Sequence, residues 1–75
     1  MDHIQALQQA IDLLWPELPA LVGDDWPRFE QELQSHLAQL AMATNAEQAW
    51  ASYDQIRLLF FDHEAADARL SELLT

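Results

Sequence analysis

GDDWPRFEQELQSHLAQLAMA, residues 23–43, is the stretch whose reading decides the fold class. Pro27 lacks a backbone N–H, and in a first helical turn that donor has no intrahelical acceptor to lose. Proline here therefore marks a start rather than a break. Just ahead, Asp24 or Asp25 can accept hydrogen bonds from the free N–H groups of that turn, and their charge suits the positive end of the helix dipole. Trp26, Phe29, Leu33, Leu37 and Leu40 follow at three- and four-residue steps. On a helix of about 3.6 residues per turn that is one stripe. The spacing predicts an amphipathic helix running to about Ala43.

Upstream, Ile4, Leu7, Ile11 and Leu14 repeat the same steps and predict a helix from about Asp2 to Leu14. Pro16 is expected to end it, because the residue before a proline, here Trp15, is pushed out of the helical region. Residues 16–22 can hold a short turn of helix, with Pro16 at its first position and Gly23 as a left-handed terminator. Leu18, Leu21 and Val22 would then close one end of the core. Downstream, Thr44-Asn45-Ala46-Glu47 has the form of a capping box, with Thr44 and Glu47 each satisfying the other's backbone N–H. The helix it starts should reach about Phe61 and turn Ala49, Trp50, Tyr53, Ile56, Leu59 and Phe60 inward. Asp62 is expected to cap a last helix that carries Ala66, Leu70 and Leu73 inward.

Short connections make consecutive helices antiparallel neighbours. The expected fold is all-α: a compact antiparallel bundle of four short helices in a single domain, residues 1–75, with an optional extra turn at 16–22. Composition agrees, since 51% of the residues are hydrophobic and glycine occurs once, a helix-forming mixture too apolar for disorder. With no cysteine, neither disulfides nor thiolate metal sites are available. A core this small supplies roughly 3–5 kcal/mol net. No apolar run approaches the ~18 residues that span a bilayer. MDHIQALQQ lacks the basic region and apolar stretch of a signal peptide, so a soluble, cytoplasmic chain is expected.

Thirteen acids face three arginines and no lysine, a formal charge of −10. Direct binding to nucleic-acid phosphates or an anionic membrane surface is disfavoured, and a basic or apolar protein surface is the easier partner. Equally, the charge can simply keep a small apolar domain soluble.

Catalytic, cofactor and metal sites are not expected. His3, His36 and His63 lack metal-ligand spacing, and Asp62-His63-Glu64 are helix neighbours that point apart. The carboxylate pairs Asp24-Asp25, Glu30/Glu32 and Asp62/Glu64 lie at helix starts or on polar faces rather than in a cleft. The serines and Tyr53 have no His-Asp grouping to activate them. Arg57 with Asp54 and Arg69 with Glu72 are spaced for weak intrahelical pairs.

More suggestive is Leu58-Leu59-Phe60-Phe61, because one bundle stripe cannot bury four consecutive large apolar residues. With Leu59 and Phe60 inward, Leu58 and Phe61 fall on a flank. Cover by the last helix is the simpler expectation; left bare, they form a patch with Trp15 or Leu74, and such patches mark partner sites. The candidate partner-binding residues are therefore Trp15, Asp24, Asp25, Leu58 and Phe61.

At WPELPALVGDDWPRFEQEL and IRLLFFDHEAADARL the sequence resembles small helical modules of bacterial conflict systems, fused to or encoded beside caspase-like CHAT peptidases. The resemblance covers nearly the whole chain. It carries over no catalytic residue, since such modules look like adaptors that recruit or gate an effector. It implies a non-catalytic interaction module. The alternatives are an acidic nucleic-acid mimic that inhibits a DNA-binding protein, and an accessory subunit that lends His36 or a buried acid to another enzyme's active site. A homo-oligomer stays open.

Overall fold

The computed structural model describes residues 3–75, and every regular element among them is helical. Helix α1 (His3–Leu14) buries Leu7, Ala10, Ile11 and Leu14, with Ile4 packed at the edge of the core. Asp2, expected to open this helix, lies outside the described residues. Pro16 does not turn the chain away. Leu14 keeps right-handed helical angles (φ −82°, ψ −19°), and Trp15–Glu17 forms a 3₁₀ turn leading into α2 (Leu18–Val22). The tighter bonding of that turn, with the Leu18 N–H on the Trp15 carbonyl, asks nothing of the proline nitrogen.

Gly23 ends α2 at φ +79° and ψ −138°, a region that side chains with a Cβ enter only under strain. Leu18 is fully buried, and Leu21 and Val22 pack on the same end of the core, as their spacing predicts. A second 3₁₀ turn, Gly23–Asp25, delivers the chain to α3 (Trp26–Ala41) with Pro27 in its first turn. Asp25 occupies the cap position, yet its side chain makes no cap bond. The Trp26 N–H already bonds to the Gly23 carbonyl, and Pro27 has no N–H to offer. Helix α3 ends at Ala41 rather than Ala43, closed by the Met42 N–H on the Ala38 carbonyl at 3.1 Å.

The reciprocal cap of α4 (Ala46–Phe61) is shifted by one residue from its expected place. Asn45, with extended backbone, accepts from the Gln48 N–H at 2.9 Å. Gln48 Oε1 in turn accepts from the N–H and hydroxyl of Thr44 at 3.0 and 3.1 Å. Thr44 and Glu47 therefore do not form the box. The start of α5 (Glu64–Leu74) also departs from expectation: His63 stands at the cap, while Asp62 terminates α4 with its N–H on the Leu58 carbonyl at 3.3 Å.

The buried side chains form one cluster, in which Phe29 of α3 and Phe60 of α4 are the largest. Helices α3 and α4 fold back on each other, with Phe29 against Phe60 at one end and Gln39 beside Ser52 at the other. α1 packs on α4 and α5, and α2 on α3 and α5. Trp50, expected inside, is 41% exposed; Ser52 takes a buried place on that face instead. The molecule measures 35 × 26 × 18 Å. No helix among the described residues is long and apolar enough to cross a membrane.

Candidate interaction surface

The inner face of α4 is set by Ser52, Ile56 and Phe60, all buried. At about 100° per residue, Ala51, Asp54, Leu58 and Phe61 fall on the opposite side. All four are exposed. Leu58 is 59% and Phe61 73% exposed, so the last helix does not cover them. The reason lies in how α5 is anchored. Ala66 and Leu70 drop into the core, which sets α5 against the Arg57 flank of α4, where Asp67 Oδ1 stands 3.9 Å from Arg57 Nη2. This cross-helix pair takes the place of the expected Arg57–Asp54 contact.

The other candidates are arranged differently. Trp15 is half-buried and meets Trp26 edge-on at 5.7 Å; Trp26 stacks on Phe29, which in turn meets Phe60 edge-on. This line of rings ties Trp15 to the inner side of α4, whereas Leu58 and Phe61 turn away from it. Leu74 likewise packs on the core. Neither Trp15 nor Leu74 extends the bare face. Asp24 and Asp25 are exposed. Asp25 Oδ2 lies 3.4 Å from His63 Nε2, at the α4–α5 junction just beyond Phe61. The His63 ring also meets Phe29 edge-on at 5.0 Å, so it is held by packing as well as by its contact with Asp25.

Toward the α3–α4 connection the face runs into an open groove of about 390 Å³ lined by Gln39, Met42, Gln48, Ala51 and Ser52. Met42 is 78% exposed at its rim. Along the α1 side stands Trp50, with its ring 5.0 Å from Tyr53 and 6.3 Å from His3. Sequence reasoning missed the groove and Trp50 as parts of this surface. The available signal was spacing, since Trp50, Asp54 and Phe61 fall at four- and seven-residue steps on the outer half of α4.

Away from this face two of the arginines make ion pairs at the surface. Arg69 donates to Glu17, 52 residues away, through Nε at 3.2 Å, and to Glu72 at 2.9 Å. These hydrogen bonds, that to Glu17 first, hold its guanidinium above the ordinary pKa. A raised cation contributes stability that is complete below the unfolded-state value and lost only as pH climbs through the folded one. For arginine that window lies in strong alkali, so the guanidinium adds no slope near neutrality. Arg28 lies 3.8 Å from Glu32. His36 Nδ1 and Arg57 Nη1 are buried without a hydrogen-bond partner. Among the described residues no three acids or histidines converge as a metal-binding group.

The surface with the most distinct chemistry is thus the outer side of α4, large apolar side chains interleaved with carboxylates. No family model, no curated protein and no solved structure matches the chain.

Proposed function

We propose that this chain is a non-catalytic protein–protein interaction module, an adaptor or regulator of a larger bacterial effector, working in the cytoplasm and docking its partner on the outer face of α4. One observation carries the reading: Leu58 and Phe61 lie side by side on that face, more than half exposed. Large apolar groups left in water cost about 25 cal/mol for each Å² that could be buried, and a partner recovers that term. The resemblance of WPELPALVGDDWPRFEQEL and IRLLFFDHEAADARL to effector-associated modules supports the same reading. In this proposal the helices act as an antiparallel four-helix bundle, a rigid support that presents α4 without rearrangement.

The test is size-exclusion chromatography with light scattering, on the chain alone and mixed with each protein encoded beside it. The expected result is a defined complex with one of them. Replacement of Leu58 and Phe61 by serine should abolish it while the helical circular dichroism is unchanged. Absence of any complex, or a complex indifferent to both replacements, overturns the proposal.

A further inference from the structure

We infer that the occupant of the α4 face is a basic amphipathic helix of another protein, rather than a second copy of this chain. The inference rests on reading the chain as an interaction module, and it adds the chemistry of the partner.

Shape supplies the first half of the argument. From Ala51 at the groove to Phe61 the face runs ten residue steps along one helix, about 15 Å at ~1.5 Å per residue. It belongs to a single helix, with apolar contacts at both ends: the groove beside Met42 and the pair Leu58 and Phe61. A partner helix laid along it would place apolar anchors two turns apart, the spacing by which amphipathic helices dock into grooves.

Charge decides what flanks those anchors. Asp54 and Asp62 are exposed among the apolar groups. The cation of the same helix, Arg57, turns its Nη2 toward Asp67 instead. Lysine and arginine on the partner's flanks would lie with their stems over Leu58 and Phe61 and their heads on these carboxylates. A two-fold dimer through the same face brings Asp54 and Asp62 of one chain toward the carboxylates of the other. It also brings together two chains each of formal charge −10, a like-charge juxtaposition that disfavours self-association.

The experiment titrates the full chain, at physiological salt, with an 18-residue peptide of leucine and lysine carrying one apolar helical stripe. A leucine–glutamate peptide of the same pattern is the comparator, and amide chemical shifts locate the contact. The expected result is saturable binding of the leucine–lysine peptide alone, with shifts centred on residues 51–62. Leu58→Ala/Phe61→Ala should weaken it at least tenfold. Asp54→Asn/Asp62→Asn should weaken it several-fold, while the charge-matched control Asp12→Asn/Glu72→Gln stays within twofold. Shifts spread over every acidic face, or equal binding of the acidic peptide, overturn the inference. A dimer dispersed by Leu58→Ala/Phe61→Ala overturns the choice of occupant yet leaves the interaction-module reading standing. Failure of peptides, self-association and neighbouring proteins alike sinks both.

Discussion

Replacing Phe29 by alanine should bring this domain to the edge of unfolding. Phe29 is 1% exposed and joins three elements of the fold. Its ring lies edge-on to Phe60 at 5.2 Å and to His63 at 5.0 Å, and stacks on Trp26 at 5.9 Å. Core Phe→Ala changes cost about 3–5 kcal/mol through lost transfer energy and the cavity left behind. Paired aromatic rings add about 0.5–1.5 kcal/mol beyond area. A small core of this kind provides roughly 3–5 kcal/mol in all. The loss therefore matches the whole. Urea melts followed by far-ultraviolet circular dichroism and by tryptophan fluorescence measure it, since Trp26 stacks on the deleted ring and Trp15 meets Trp26. Phe29→Leu, which keeps most of the volume, should lose about 1–2 kcal/mol and still melt cooperatively. If Phe29→Ala retained stability within about 1 kcal/mol of the parent, the reasoning that makes this residue the hub of the core would be refuted.

Gly23→Ala should cost about 1–3 kcal/mol from backbone strain alone. No atom lies within 4 Å of the added methyl group, so a thermal melt that is unchanged would contradict the positive φ at this joint. Asn45→Ala removes the acceptor for the Gln48 N–H and should lower stability by about 1 kcal/mol, whereas Glu47→Ala should change it by less than half as much. Equal losses in urea would restore the cap to Thr44 and Glu47. His36→Leu should raise the unfolding free energy by about 0.5–1.5 kcal/mol, read as a higher melting midpoint, because Nδ1 is buried without a partner and an apolar replacement relieves that deficit. A clear loss of stability there would show that the imidazole is satisfied.

Periodicity made the helices and most of the core readable: Leu7, Ile11 and Leu14, then Phe29, Leu33 and Leu40, follow from spacing alone and all are buried. Pro27 and Gly23 marked their boundaries for reasons intrinsic to the backbone. Caps were less readable, because Thr44 and Asn45 are adjacent and both can cap; the choice depends on where α4 begins. Asp62 failed as a cap for a tertiary reason, since the turn into α5 places His63 there, packed on Phe29 and close to Asp25. The Arg69–Glu17 pair bridges 52 residues and depends on how α5 docks beside the first 3₁₀ turn, which no local pattern encodes. At the candidate surface, the surplus in Leu58-Leu59-Phe60-Phe61 was visible as a count of apolar groups. Which two lie outward followed from helical spacing once Phe60 faced inward; that α5 leaves them bare depends on where Ala66 and Leu70 enter the core, which no local pattern encodes. Trp15 was misplaced in that patch because its neighbours are Trp26 and the ring line behind it.

The central claim, that a protein partner docks on the outer face of α4, is tested most directly by calorimetric titration of that partner. The comparison is between the parent chain and the Leu58→Ser/Phe61→Ser variant, with the fold of each checked by circular dichroism. Burying each side chain is worth about 1.5–3 kcal/mol. The account therefore predicts that the dissociation constant rises about a hundredfold or more, at ~1.4 kcal/mol per factor of ten. An affinity within about threefold of the parent, on a variant that remains folded, would contradict it.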